Sequence, residues 1–162
     1  MAESLADQVV RKIHQTDGLF YRLILVVAAV GKGKTTALLD VQNRIDAPLF
    51  NVNLKLSRLM LGLTERQRKV RLQQLLQEVV SNTPGSIILF DNIEMLFNVA
   101  LEQNPLPLLQ GLARNKTIVT TWSGSIKDQR IIYAEPGHPE YRSYTIGDFL
   151  VASPDLHGGR QG

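Results

Sequence analysis

Cysteine is absent from all 162 residues. That excludes disulfides and any thiolate-held metal or redox centre. Histidine is scarce, and His14, His138 and His157 are too scattered to suggest a zinc motif. The longest apolar run, Leu23 to Val30, is too short to cross a bilayer. The first residues carry Glu3 and Asp7 and lack the apolar stretch of a secretory signal. No membrane partner and a cytoplasmic location are therefore expected. Charge of either sign is modest, with 18 Lys and Arg against 15 Asp and Glu. An acidic or basic tail does not dominate the chain. The guanine-reading pattern Asn-Lys-x-Asp does not occur. If a nucleotide binds, ATP is favoured over GTP.

What is present is Ala28-Ala29-Val30-Gly31-Lys32-Gly33-Lys34-Thr35. An apolar run, Leu23-Ile24-Leu25-Val26-Val27, precedes it, and Thr36-Ala37-Leu38-Leu39 opens a helix after it. A triphosphate needs inward N–H donors, a cation and a metal. A glycine-bearing turn that opens a helix supplies the donors, and the helix N-terminus adds partial positive charge. Gly31 and Gly33 let the backbone approach phosphate oxygens without a Cβ between. Residues Ala29 to Thr36 (Ala29, Val30, Gly31, Lys32, Gly33, Lys34, Thr35 and Thr36) are the expected nucleotide cradle. Within it Lys34 reaches the β- and γ-phosphates, and the Thr35 hydroxyl ligates Mg²⁺. The strict pattern begins with glycine, and here Ala28 takes that position.

A second motif supports the first. Ile87-Ile88-Leu89-Phe90-Asp91 is an apolar strand ending in an acid. In parallel sheets ligands gather at the carboxyl ends of strands, so Asp91 is expected beside Thr35 as the second metal residue. Hydrolysis also needs a group that orients or deprotonates water. The position after Asp91 holds Asn92, and Glu94 is the candidate base if a helix beginning there turns it to the same edge. A polar residue at the end of the next strand, Thr121 before Thr120, is the candidate γ-phosphate sensor. Arg130 and Arg114 are the candidates for an arginine that stabilises transition-state charge, a group often supplied by a neighbouring subunit.

Along the chain, strands are expected at 21–27, 49–53, 86–90 and 117–121, and helices at 3–14, 34–45 and 54–80. The last of these breaks at Gly62, and Thr64 then caps its second half. Further helices are expected at 93–101 and 108–113, and Ser123-Gly124 reads as a turn. The stretches 131–134 and 141–146 read as a hairpin around Pro136-Gly137-His138-Pro139. This alternation predicts an α/β three-layer sandwich around a mainly parallel sheet of about five strands. One domain is expected over 1–150, with 151–162 a flexible tail.

Between Lys55 and Arg71, six basic residues stand against one acid, Glu65. Such a run can face nucleic acid or an acidic partner, or can simply be a solvated helix face.

Over about residues 19–146 the chain resembles P-loop NTPases of the AAA+ and related branches, on the strength of Ala28–Thr35 and Ile87–Asp91. More narrowly it resembles the BrxF family of small P-loop proteins from bacteriophage-exclusion (BREX) defence systems. Asp91-Asn92-Ile93-Glu94 and the distal Tyr133-Ala134-Glu135-Pro136-Gly137-His138-Pro139-Glu140-Tyr141 segment carry that resemblance. It implies an ATP- and Mg²⁺-dependent ATPase, or an ATP-binding subunit, of an anti-phage assembly. Such a subunit would form a homo-oligomer, work with other defence proteins, and meet DNA through the complex. After the last strand little chain remains, so the helical lid of many AAA+ proteins is not expected. Two other functions share these motifs: a nucleotide-gated binding module with little hydrolysis, and a small-molecule kinase. Residues 124–142 hold Arg130 and Arg142 but no arginine-rich lid cluster, which counts against the kinase.

Overall fold

The computed structural model describes residues 3–155. Element order is α1 (Leu5–Ile13), β1 (Leu23–Ala28), α2 (Lys34–Ile45), β2 (Leu49–Asn51), α3 (Val52–Leu59), α4 (Glu65–Asn82) and β3 (Ile87–Asp91). Two short 3₁₀ turns follow, Glu94–Phe97 and Val99–Leu101. The chain then continues through α5 (Pro105–Leu112), β4 (Thr117–Lys127), β5 (Arg130–Tyr133), β6 (Arg142–Thr145) and β7 (Leu150–Ala152).

Five strands form a parallel sheet in the order β2-β3-β4-β1-β7, and β5 and β6 extend it as an antiparallel hairpin carried by β4. Strand periodicity divides the core into two layers. Leu23, Leu25 and Val27 of β1, Ile88 and Phe90 of β3, and Ile118 and Trp122 of β4 pack under α3, α4 and α5. Ile24, Val26, Leu89 and Val119, which alternate with them, pack under α1 and α2. The α/β sandwich and its mainly parallel sheet are as the sequence predicts.

Local signals explain most element ends. Thr64 caps α4 in a capping box: its hydroxyl accepts from Gln67 N, and the Gln67 side chain accepts from Thr64 N. Pro105 occupies the first turn of α5, where its missing N–H leaves no bond unmade. Three expectations are corrected. The helix expected over 93–101 is two 3₁₀ turns, because Asn98 turns extended and its side chain accepts from Ala100 N, interrupting the run. The turn expected at Ser123-Gly124 is uninterrupted strand. There β4 leaves its parallel neighbours and pairs with β5, Gly124 opposite Tyr133. The chain turns further on, at Asp128 and Gln129, both in the left-handed region. The tail expected from 151 begins inside β7, whose Leu150, Val151 and Ala152 pair with β1. The next residue, Ser153, donates its N–H to Gln8 Oε1 and accepts from Gln8 Nε2. Residues 156–162 of that expected tail lie outside the described residues.

Candidate nucleotide site

The strand order sets the site. β4 lies between the loop strand β1 and the acid strand β3, with Val26 opposite Thr121 and Phe90 opposite Thr120. β2 flanks β3 on its other side, with Asn51 opposite Asp91. The carboxyl ends of all four strands therefore come out on one edge, where a cavity of about 540 Å³ opens. Val30, Gly31 and Gly33 to Thr36 form its floor, and Asp91, Asn92, Glu94 and Ser123 form its far wall.

The loop turns through Gly31 at φ +80° and Gly33 at φ +89°, a region that L side chains rarely adopt. Gly33 is also the N-cap of α2, and no side chain caps the helix. The N–H groups of its first turn are thus left for a ligand. No acidic side chain occupies that turn. An anion the size of a phosphate fits this cradle, since it would satisfy those donors and meet the positive end of the helix dipole.

Lys34 is buried, and its Nζ donates to Ala28 O and Ala29 O, both at 3.0 Å. Burial lowers its pKa, opposed by the negative charges of Glu94 and Asp91. Phosphate oxygens would favour the charged form and draw Nζ off these carbonyls. The Ala29 and Lys32 backbones close the loop through Lys32 N to Ala29 O. Asp91 is gripped from two sides. Thr35 Oγ1 donates to Oδ2 at 2.7 Å, and Thr121 Oγ1 donates to Oδ1 at 3.0 Å. Asp91 Oδ1 also accepts from Asn92 N at 2.9 Å, a contact set by the left-handed turn at Asn92. A hydroxyl and a carboxylate so placed are the hard oxygen donors that suit Mg²⁺, which takes few protein ligands and keeps waters and phosphate oxygens for the rest.

Glu94 does reach this edge, on a 3₁₀ turn rather than an α-helix. Two residues that sequence reasoning missed hold it there: Asn53 Nδ2 donates to its Oε1 at 3.1 Å, and Ser123 Oγ donates to its Oε2 at 3.2 Å. Asn53 is itself fixed, its N–H donating to Asn92 O and its Oδ1 accepting from Met95 N. No motif marks Asn53; its place follows from β2 lying beside β3.

Neither candidate arginine lies at the cavity of its own chain. Arg130 is spread along the hairpin, donating to Ser143 Oγ (2.7 Å), Thr145 Oγ1 (2.8 Å) and Ser143 O (3.0 Å). Arg114 precedes β4, so it sits at the opposite edge of the sheet, where its guanidinium lies over the Phe20 ring. Within one chain neither reaches the cavity, so a role for either arginine would need a neighbouring copy to supply it. Thr120 is also turned away, its hydroxyl donating to Thr121 O.

Beyond Thr121, Trp122 is fully buried in an aromatic cluster with Phe97, Tyr133 and Tyr144. Burial pushes the Tyr133 phenol up to about 12, and the charges of Glu140 and Glu94 add to the effect. The folded state favours the neutral phenol, so this group costs stability as pH rises above the ordinary tyrosine value of 10.0 toward 12. In an ultraviolet pH titration, Tyr133→Phe is expected to remove a tyrosine ionisation near pH 12.

No described helix is long and apolar enough to cross a membrane. No curated protein matches the chain. Residues 24–118 match the family model of the ATPase family associated with various cellular activities (AAA), a span that takes in the loop, Asp91, Asn53 and Glu94, and the chain belongs to that family of P-loop NTPases.

Proposed function

We propose that the protein is a Mg²⁺-dependent ATPase that works as a cytoplasmic, homo-oligomeric subunit of a larger assembly. The observation that carries this reading is the shared carboxylate: Asp91 bonded to both Thr35 and Thr121, with Glu94 held across the same cavity. A bound Mg²⁺ would neutralise charge on the β- and γ-phosphates. The chain's own residues do the rest. The first-turn amides of α2 orient the phosphates. Lys34 leaves the Ala28 and Ala29 carbonyls to meet them. Thr35 and Asp91 face the metal, and Thr121 holds Asp91 in its rotamer. Glu94 accepts the proton of the attacking water once it turns from Asn53 and Ser123. An arginine from a neighbouring copy would complete the charge stabilisation. Arg130 is the better placed of the two candidates, being exposed on a hairpin attached to the wall strand β4.

The narrower placement, with the BrxF-like subunits of anti-phage defence, is supported by the Asp91-Asn92-Ile93-Glu94 run and the 133–141 segment. Other defence proteins would be its partners. Reconstitution with a methyltransferase and the other proteins of such a defence system tests this: co-purification supports the placement, and failure of every pair to associate with or without ATP removes it.

A second reading, a nucleotide-gated module with little turnover, is favoured by one observation: both Glu94 oxygens already have hydrogen-bond donors. Glu94→Gln separates the two. General-base removal is expected to lower turnover by about 10²–10⁴-fold with ATP affinity kept. Unchanged turnover in this variant would instead favour the gated module. Turnover per subunit should rise with protein concentration if a neighbour completes the site.

A further inference from the structure

The basic run at 55–71 plays no part in the nucleotide site. Its six cations fall into two groups. Three are tied to the protein: Lys55 lies over the Phe50 ring, Arg68 Nε donates to Leu63 O, and Lys69 pairs with Glu102 at 3.2 Å. The other three, Arg58, Arg66 and Arg71, are exposed, and among the described residues none pairs with a carboxylate.

Helix α4 arranges two of these three. Leu72, Leu75, Leu76 and Val80 bury its inner stripe. Its exposed side carries Arg66, Val70, Gln73 and Gln77 at helical spacing, with Arg71 and Gln74 beside them. From Arg66 to Gln77 no acid interrupts this face, and the next one, Glu78, accepts a hydrogen bond from Gln74. Arg58 adds a third cation from α3, which packs against α4. The helix has 18 residues and so runs about 27 Å.

We infer that this outer face of α4, with Arg58, binds nucleic acid directly. Arginine and glutamine are the side chains that hydrogen-bond phosphate and sugar oxygens and base edges. A face of unpaired arginines interleaved with glutamines, with its carboxylates confined to Glu65 at one end and Glu78 at the other, has both the charge and the donors for a polyanionic backbone. A solvated helix face with no partner normally carries acids beside its bases, as α2 does where Arg44 bonds Asp40. The inference does not rest on hydrolysis, since the face lies outside the cavity.

The test uses the full chain and a fluorescein-labelled mixed-sequence duplex of about 24 base pairs, followed by anisotropy. With three cations engaged, log affinity is expected to fall with log salt at a slope of about −2.7, or about 40-fold between ~50 and ~200 mM KCl. The double variant Arg66→Glu/Arg71→Glu is expected to flatten the slope to about −0.9. Arg66→Lys/Arg71→Lys, which keeps the charge, should retain the steep slope. Lys127→Glu, on the β4–β5 hairpin, serves as the distant control and should bind like the parent. Thermal unfolding reports whether each variant is folded; exposed substitutions of this kind leave the midpoint close to the parent's. The inference is overturned by absence of binding at ~50 mM salt. It is equally overturned by an unchanged slope in the folded double glutamate variant, or by polyglutamate competing as well as unlabelled duplex, which would assign the face to an acidic protein. An unlabelled single strand competing better than duplex would keep the inference and specify the form bound.

Discussion

Asp91→Asn is expected to lower Mg²⁺-dependent ATP turnover by about 10³-fold and to leave the fold standing. Both halves of that expectation come from the bonds around one carboxylate. Asp91 is only 7% exposed, and it accepts from Thr35, Thr121 and its neighbour Asn92. Asparagine keeps the shape. Its oxygen can still accept from Thr121 Oγ1 and Asn92 N, and its amide can donate to Thr35 Oγ1. The buried Thr121 hydroxyl, 1% exposed, is therefore not orphaned as it would be by alanine. What asparagine lacks is charge. A neutral amide is a poor Mg²⁺ ligand, and loss of metal-assisted charge stabilisation is worth several kcal/mol, hence about three powers of ten in rate. Steady-state turnover across Mg²⁺ concentration, with thermal unfolding in parallel, checks both halves. A variant with turnover within tenfold of the parent would show that Asp91 does not hold the metal. Lys34→Ala provides the complementary result: weaker ATP binding as well as lost turnover, because it removes a contact made in the ground state too.

The parts of this site that were legible in the sequence are those whose chemistry is local. A phosphate cradle needs particular residues at fixed spacing, so the loop and Lys34 stand out before any fold is known. Asp91 is legible for a related reason: an apolar run that stops at an acid is a strand end, and strand ends gather ligands. Asn53 is not legible this way. It reads as one more polar residue near a strand end, and only the adjacency of β2 and β3 brings its amide to Glu94. Sequence order also does not say which sheet edge an arginine occupies. Arg114 lies close to β4 in the chain, yet it lies before that strand, and in a parallel sheet this puts it on the far edge. Ser123-Gly124 is the reverse case, a local signal that long-range pairing overrides. The dipeptide favours a turn, but β5 supplies a ladder partner, and Ser123 is used to hold Glu94 instead. The glycine is required there for another reason.

Gly124→Ala is expected to destabilise the protein by about 3 kcal/mol or more, lowering the unfolding midpoint by about 6–12 °C for a chain of this size. A Cβ built at Gly124 would stand 1.9 Å from Ile132 O and 3.0 Å from Trp122 Nε1. The first atom is backbone, so no rotamer change can relieve it, and β4 and β5 must separate. Separation breaks the pairing of Gly124 with Tyr133 and of Ser125 with Ile132. It also pulls Ile132 O away from the Trp122 indole N–H, which donates to it at 3.2 Å. Trp122 is fully buried, so its N–H would be left without a partner in the core. The Tyr133 ring, stacked on Phe97 at 3.6 Å, moves with β5. Gly147→Ala is the control, since a Cβ there meets nothing within 4 Å and its midpoint should stay near the parent's. A Gly124→Ala midpoint equally close to the parent's would mean that the hairpin yields at no cost. The consequence for the site follows from the chain itself. Trp122 lies between Thr121, which holds Asp91, and Ser123, which holds Glu94. A hairpin forced off β4 therefore disturbs both carboxylates, and the variant's turnover should fall at temperatures where it is still folded.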